Sequence, residues 1–380
     1  MRVLFLCSTY MQLINAVQLK RTVLKTANAD IIINDHSKNS EEVAKRLEET
    51  GLFNRVKWVS NKEIMFNQTF VSDISDVISI NFGNNKKFRK MLWDDIGYYR
   101  KIYFYNMDLL LLCVWDIMVK NGSKPPQLVR FEEGVTGYPL LDVKIKRKHN
   151  EGMRMKLTRL VRRVLKRSIF HDYINTYCVY FPEIFQKYIS GFYKDGYKIE
   201  KIPFLSSADK ETIRILNHVF GYRPEEENYP WKFIYLASSM DYDGACIGEY
   251  NLVCRLAEYV GKENILVKMH PRDTGREYEK AGFTVSRNSA IPWELVLLNN
   301  DFTGHVFVSL SSSSMITGPA MLGSDIESYF LYPLAKKPEK EIFQKTLDDV
   351  NNILDQFHEN GICRKCIKIN NMEIFRKYNR

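Results

Sequence analysis

The sequence lacks several features that mark particular classes of protein. Its 380 residues contain no apolar run of the ~18–20 residues that span a membrane, and no GxGxxG fingerprint of a dinucleotide site. The N-terminal apolar run, MRVLFLC, is too short for a signal peptide and is interpreted as a first buried strand. We therefore expect a globular, cytoplasmic protein.

Cysteine is scarce and scattered. The seven cysteines are an odd number in a long chain, which is typical of a reducing cytosol rather than of a disulfide framework. Cys363 and Cys366 form the one close pair, and no second Cys or His pair has the spacing that would complete a zinc site. We expect two thiols on a terminal strand, no bound metal and no cofactor.

Positive charge is concentrated in one segment. The formal net charge is +10, and residues 144–167 hold eleven basic side chains and one acidic side chain. The rest of the chain is therefore neutral, which argues against nucleic-acid binding and indicates one local anionic partner. Apolar residues recur at helical spacing within 153–169, which predicts a basic amphipathic helix. Such a helix either lies on an anionic membrane surface or packs its apolar stripe on the protein core.

Short apolar runs alternate with helical patterns in both halves of the chain. This alternation predicts right-handed βαβ units and parallel sheets, an α/β fold. Residues 144–230 interrupt it, and the acidic segment 224–230, bracketed by prolines, is typical of a linker. We predict two Rossmann-like domains, residues 1–205 and 231–380, joined by a linker at 206–230, with the last helices free to pack back on the N-terminal domain. Ligands of such sheets bind beyond the C-terminal ends of the strands.

Polar residues follow two predicted strands of the N-terminal domain. Thr9 follows the first strand, where a hydroxyl can cap a helix and present N–H groups to an anion. Glu132, Glu133 and Gly134 follow the strand at 127–131. Burying a carboxylate at the end of a strand costs free energy, so two adjacent carboxylates there suggest a functional role. Adjacent side chains of an extended chain point in opposite directions, so only one of the two is expected to face a ligand. One glutamate is therefore a candidate general base, the alternative being a helix cap in a surface turn.

Polar residues also follow the predicted strands of the C-terminal domain. His270 ends the strand at 264–269, where its imidazole can donate to a phosphate, and Pro271 stiffens the turn. Serines open a helix after 305–310, where hydroxyl and backbone N–H groups form a phosphate site. Glu294, in the first turn of another helix, is a candidate for binding a ribose diol. The serines assigned to donor binding are Ser238, Ser239, Ser311, Ser312, Ser313 and Ser314.

The order of these motifs resembles that of the bacterial sialyltransferases. Glu132-Glu133-Gly134 matches their [D/E]-[D/E]-G motif, His270-Pro271 their HP motif, and Ser311–Ser314 their Ser/Thr pair. The N-terminal LCSTYMQLINA and the IPWE segment are most similar to glycosyltransferase family 52, the lipooligosaccharide sialyltransferases, and the resemblance covers roughly residues 1–325. It implies a GT-B fold, in which two Rossmann-like parallel-sheet domains face a central cleft.

The resemblance also implies a reaction. The donor would be CMP-N-acetylneuraminic acid, no metal would be required, and direct displacement would invert the anomeric carbon. Glu133 or Glu132 would deprotonate a terminal galactose hydroxyl of a bacterial surface glycan, and His270 would stabilise or protonate the departing CMP. Closure of the domains would bring base and phosphate site together. The implied donor contacts are Thr9, Pro271, Glu294 and the serines named above, and the implied acceptor or sugar contacts are Tyr10, Gln12 and Gly134.

Two alternatives stay open. The same fold could use another donor, CMP-Kdo or a UDP-hexose, or the protein could be a non-catalytic membrane- or anion-binding protein that uses segment 144–167. The sequence leaves open the linkage (α2,3 or α2,6), the exact acceptor and the choice between Glu132 and Glu133. The resemblance favours a homodimer, and a peripheral position on the inner face of the cell membrane would follow if the basic helix binds lipid.

Overall fold

The computed structural model describes residues 1–35, 37, 39–60, 92–106, 108–121, 124–134, 160–161, 163–164, 173–190, 197–270, 272–286, 291–324 and 326–378. The predicted strand at 76–81, Pro271 and all but four residues of the predicted basic helix lie outside these ranges. Within them, none of the helices combines the length and the apolar character needed to cross a membrane.

The chain divides into two compact units. The first comprises Met1–Glu133, Leu140–Pro203 and Ala208–Gly221, and the second comprises Gly134–Pro139, Phe204–Ser207 and Tyr222–Arg380. Residues 206–230, predicted as a linker, are thus shared between the units and contain a helix at Lys210–Phe220. The last described residues, Met372–Tyr378, pack on a helix of the second unit.

The described part of the first unit forms a seven-stranded parallel sheet in the order β3-β2-β1-β4-β5-β6-β7. The strands are β1 (Arg2–Cys7), β2 (Asn28–Asn34), β3 (Arg55–Val59), β4 (Lys101–Phe104), β5 (Gln127–Phe131), β6 (Ile174–Val179) and β7 (Lys198–Lys201). The helices are α1 (Tyr10–Arg21), α2 (Ser40–Glu49), α3 (Leu109–Asn121), α4 (Pro182–Ser190) and α5 (Lys210–Phe220).

The central strands are apolar along nearly their whole length because both faces of the sheet are covered. Val3–Cys7 of β1 and Ile31–Ile33 of β2 are buried, as is typical of strands inside parallel sheets. α3 adds Leu111, Val114 and Trp115 to the same core. Full burial of one such aliphatic side chain stabilises the fold by ~1.5–3 kcal/mol.

A buried carboxylate ties the first three strands together at the edge where they begin. Asp30 of β2 is 2% exposed at its side chain, and its Oδ2 lies 3.0 Å from both Arg2 of β1 and Arg55 of β3. Tyr99 also donates its hydroxyl to Asp30. Because two guanidinium groups neutralise this carboxylate, its burial is tolerated. This edge is opposite the one at which ligands of parallel sheets bind, so the cluster is structural.

The described part of the second unit forms a six-stranded parallel sheet in the order β10-β9-β8-β11-β12-β13. The strands are β8 (Phe233–Leu236), β9 (Ile265–Lys268), β10 (Thr284–Ser286), β11 (Val306–Ser309), β12 (Ser328–Phe330) and β13 (Cys366–Lys368). The helices are α6 (Glu249–Val260), α7 (Glu277–Lys280), α8 (Trp293–Asn299), α9 (Ser314–Leu322) and α10 (Glu341–Glu359).

Both sheets reverse their strand order beside their first strand. The reversal falls between β1 and β4 in the first unit, and between β8 and β11 in the second. In doubly wound sheets, ligands bind at the C-terminal ends of the strands that flank this point. The predicted class, two α/β domains with parallel sheets, is confirmed. A ligand is therefore expected to bind at the loops that follow β1, β4, β5, β8, β9 and β11.

Candidate functional site

The two adjacent glutamates after β5 have different environments. Glu132 is 4% exposed, and its Oε2 accepts the backbone N–H of Tyr180 at 2.7 Å. Its backbone carbonyl accepts the Asn15 amide of α1 at 2.7 Å, and Asn15 in turn accepts the Tyr180 hydroxyl at 2.5 Å. Glu133 is only half-buried. Glu132 thus holds the ends of β5 and β6 together, whereas Glu133 is partly accessible to solvent.

The carboxylate of Glu133 lies near the strand reversal of the first sheet. Burial raises the pKa of the Cys7 thiol at the end of β1, and the negative charge of Glu133 raises it further. Burial also raises the pKa of Tyr105, which follows β4; the Arg130 guanidinium, 4.8 Å from its ring, opposes this, and Glu133 adds to it. Glu133 therefore stands close to the ends of both strands that flank the reversal.

The turn between β1 and α1 is held by its own polar side chains. Gln12 Oε1 accepts the Ser8 N–H at 2.7 Å, and Thr9 Oγ1 accepts the Gln12 N–H at 3.4 Å. Gln12 is fully buried, and among the described residues its Nε2 has no hydrogen-bond acceptor. Tyr10 packs edge-on against Phe220 of α5, with ring centroids 5.1 Å apart. Thr9 and Tyr10 therefore have contacts that build the turn, while Gln12 keeps one donor for a further partner.

His270 stands two residues beyond the end of β9 and is a neutral imidazole. Burial lowers its pKa to about 4, and the charge of Arg272 adds to the effect. The backbone N–H of Arg272 lies 3.2 Å from Nδ1. Because an N–H group can only donate, Nδ1 is the acceptor and the imidazole proton is on Nε2. At neutral pH, His270 therefore offers an N–H donor rather than an acidic proton.

The serines at the end of β11 and just after it differ in whether their hydroxyls form hydrogen bonds within the protein. Ser309 Oγ donates to the Leu236 carbonyl at 2.6 Å and accepts the Ser312 N–H at 2.9 Å, so it braces β8 and β11 where the sheet order reverses. The buried Ser311 donates to Met240 Sδ at 3.1 Å. Within the described part of the chain, the hydroxyls of the half-buried Ser312, Ser313 and Ser314 make no hydrogen bond. They precede and open α9, whose N-terminus favours an anion.

The two serines after β8 have different partners: Ser238 binds a buried carboxylate, and Ser239 binds both members of an ion pair. Glu249, 3% exposed, accepts the Ser238 N–H at 2.8 Å and the Ser238 hydroxyl at 2.5 Å. Burial raises the pKa of Glu249 to about 7. Ser239 donates to Asp243 Oδ2 at 2.8 Å and accepts from Arg272 at 2.7 Å. Glu249 and Asp243 could not be predicted from the sequence, because their hydrogen-bond partners are set by the folded loop rather than by sequence spacing.

Glu294 connects α8 with α9. It is buried, which raises its pKa, and its Oε1 accepts the Thr317 hydroxyl at 3.3 Å. The positive charge of Lys268, at the end of β9, acts on Glu294 in the opposite direction, and burial lowers the pKa of Lys268 to about 8. Gly134 belongs to the same unit and has φ +64°; a Cβ there would lie 3.1 Å from Thr317 Cγ2. Glycine is needed at this position because the backbone is left-handed and passes close to α9.

The structure thus places the predicted site residues in two groups. Glu132, Glu133, Thr9, Tyr10 and Gln12 lie in the first unit, near the ends of β1 and β5. The second unit holds His270 and the serines near the ends of β8, β9 and β11, Glu294 in the first turn of α8, and Gly134 beside Thr317 of α9. No cluster of three or more His, Cys, Asp or Glu side chains that could hold a metal ion occurs within the described ranges.

A family model matches residues 3–326, and its family is described as alpha-2,8-polysialyltransferase. No curated protein sequence matches the chain. Solved structures of similar fold include Arabidopsis thaliana UGT89C1 complexed with UDP, with 10% identity, a TM-score of 0.50, and coverage of 100% of this chain and 91% of that chain. Another is the UDP-GlcNAc 2-epimerase from Methanocaldococcus jannaschii, with 10% identity, a TM-score of 0.49, and coverage of 93% and 92%. The fold is GT-B, as predicted.

Proposed function

Because the chain belongs to the alpha-2,8-polysialyltransferase family, we propose that it is an inverting sialyltransferase that moves sialic acid from CMP-N-acetylneuraminic acid to a glycan hydroxyl. The observation that carries the proposal is the presence of two donor groups in the second unit, at the ends of β9 and β11, the strands on either side of β8. His270 offers Nε2–H at the end of β9, and three uncommitted serine hydroxyls stand at the start of α9. Together they form a set of donors suited to a phosphate.

The proposed reaction is a single displacement. The oxygen of the acceptor hydroxyl attacks the anomeric carbon of sialic acid while Glu133 takes the hydroxyl proton. The bond from the anomeric carbon to the CMP phosphate oxygen breaks, and CMP leaves with the electron pair. A single displacement inverts the configuration at the anomeric carbon. We assign the base role to Glu133 rather than Glu132 because Glu132 is buried and already accepts the Tyr180 N–H.

His270 assists the leaving group by donating a hydrogen bond. With a pKa of about 4, its imidazole carries no acidic proton at pH 7. A departing nucleoside monophosphate needs none, because the second pKa of a phosphate is about 6 and the group leaves as an anion. A fixed N–H aimed at a developing negative charge stabilises the transition state more than the ground state.

The remaining donor contacts follow from what each side chain already binds. Ser312, Ser313 and Ser314 are proposed for the phosphate. Glu294 is proposed for the ribose diol of cytidine because Thr317 donates to only one of its two carboxylate oxygens. Ser238 is bonded to Glu249, Ser239 to Asp243 and Ser311 to Met240, so the donor contacts of these three serines stay predictions. Contacts of Thr9 and Pro271 with the donor, and of Tyr10, Gln12 and Gly134 with the acceptor or sugar, stay predictions.

Two acceptor groups are compatible with the proposed reaction. The sequence predicts a terminal galactose. The description of the family names an α2,8 linkage, which would put the acceptor hydroxyl on another sialic acid. Membrane attachment through segment 144–167, a homodimer and a cytoplasmic location also stay predictions, as does the closer relationship to family 52.

The donor class is tested by titrating the protein with CMP and with UDP in a calorimeter. We expect CMP to bind at least about tenfold more tightly, a difference of ~1.4 kcal/mol, because membership of a sialyltransferase family implies a cytidine nucleotide as the donor. Glu294→Ala is expected to weaken CMP binding if it holds the ribose. UDP binding as tight as CMP binding would contradict the donor assignment and favour the UDP-hexose alternative. CMP binding alone does not distinguish CMP-N-acetylneuraminic acid from CMP-Kdo as the donor. These two donors are compared by measuring which of them yields a glycosylated product.

A further inference from the structure

Two loops beside His270 are joined by a small charged cluster. Arg272, two residues after His270, lies 2.7 Å from Ser239 Oγ and 3.0 Å from Asp243 Oδ2. Ser239 completes the cluster by donating its hydroxyl to the same Asp243 oxygen at 2.8 Å. The serine hydroxyl thus donates once and accepts once, and the guanidinium is held by two groups of the loop after β8.

The loop after β8 is itself well supported. Asp241 accepts the backbone N–H of Ile247 at 2.6 Å and that of Glu249 at 2.7 Å. Glu249 returns to the start of the loop, where it binds the Ser238 N–H and the Tyr235 hydroxyl, at 2.8 and 2.9 Å. Two carboxylates therefore fix the loop at both ends. A side chain anchored to this loop is anchored to β8 and α6, not to a flexible segment.

The cluster acts on His270 through the backbone. The Arg272 N–H that reaches His270 Nδ1 belongs to the residue whose side chain is anchored by Ser239 and Asp243. Moving Arg272 would release Nδ1 and let the imidazole adopt its other tautomer, in which Nε2 has no proton to donate. The charges that act on the imidazole are Arg272 and Lys268, which oppose its protonation, and Asp243, which favours it.

We propose that Ser239 and Asp243, acting through Arg272, are positioning residues that hold His270 in the tautomer with its proton on Nε2. The value of this tautomer to catalysis rests on the proposed function, since it is Nε2–H that would meet the CMP phosphate. The tautomer itself is a property of the protein alone. It can therefore be measured whether or not the protein transfers sialic acid.

The direct test is the pair of ¹⁵N chemical shifts of the His270 ring in the full-length protein at pH 7. The chain has seven histidines, and the His270 signals are those lost in His270→Gln. We expect a protonated Nε2 and an unprotonated Nδ1 in the wild type. Asp243→Asn and Ser239→Ala should each raise the population with a protonated Nδ1. Two variants are used because one of them could misfold, which its melting temperature would reveal. The other variant then still tests the proposal.

The matched control is Glu373→Gln, which weakens a different exposed ion pair of the second unit, Arg376–Glu373 at 2.8 Å. It should leave the ring shifts unchanged. Where transfer is detected, kcat should fall by up to about fivefold in Asp243→Asn and Ser239→Ala with little change in the donor KM. This is the upper end of what one exposed ion pair contributes, expressed as a rate. Asp243→Glu should restore part of the lost kcat. Unaltered His270 shifts in folded Asp243→Asn and Ser239→Ala would overturn the proposal. Altered shifts without any transfer would sustain the positioning role and contradict the proposed function.

Discussion

Glu133→Gln is expected to lower kcat for sialyl transfer by about 10²–10⁴-fold, the usual contribution of a general base. The substitution keeps the size and the hydrogen-bonding reach of the side chain but removes its ability to take the proton of the acceptor hydroxyl. Binding of CMP should change little, because the proposed nucleotide contacts lie in the second unit. Steady-state rates and a CMP titration on the same preparation separate these two effects.

Glu132→Gln is the comparison variant, because it makes the same chemical change one residue earlier. The Glu132 carboxylate is buried and accepts the Tyr180 N–H, so its loss should lower the melting temperature more than the turnover of the folded molecules. The reverse result, with full activity in Glu133→Gln and severe loss of turnover in a well-folded Glu132→Gln, would transfer the base role to Glu132.

His270→Ala is expected to lower kcat by about 10²–10³-fold, the loss seen when one fixed donor to a developing anion is removed. CMP should still bind, since α9 and its serines remain. The pH dependence of kcat should show whether His270 acts as a neutral hydrogen-bond donor. With a pKa of about 4, His270 is neutral throughout the range from pH 5.5 to 8. Wild-type kcat should therefore show no limb from this imidazole in that range, and a limb there that disappears in His270→Ala would contradict the neutral-donor role.

The same shift in pKa makes a prediction about stability. The pKa of His270 is about 4 in the folded chain and about 6.5 in the unfolded chain. The unfolded state therefore binds more protons between these values, so stability is lost as pH falls from 6.5 towards 4. His270→Ala should flatten this part of the dependence of the melting temperature on pH.

The parallel-sheet architecture could be predicted because most strands of the two sheets are short apolar runs that alternate with helical patterns. β6 and β7 were missed. The aromatic residues of β6 and α4, among them Tyr177 and Phe185, show no clear period, and their packing against each other became visible only in the fold. The expectation of a sialyltransferase is confirmed at the level of the family.

The site could be predicted in part, because parallel strands bring their C-terminal ends to one edge. Alternation along an extended chain predicts that Glu132 and Glu133 point apart, but not which of them is buried. That choice depends on β6, which pairs with β5 through a register shift between Leu128 and Val129. The cluster of Ser239, Asp243 and Arg272 joins residues from two loops, so no local spacing indicates it.

The most direct measurement is product formation from CMP-N-acetylneuraminic acid in the presence of EDTA, with lactose and sialyllactose as acceptors. We predict release of CMP together with a sialylated product whose new linkage is inverted relative to the donor. A product from lactose would indicate galactose as the acceptor, and one from sialyllactose alone would indicate sialic acid. A well-folded protein that forms no sialylated product from either acceptor and releases no CMP would contradict the account and favour a non-catalytic anion-binding role.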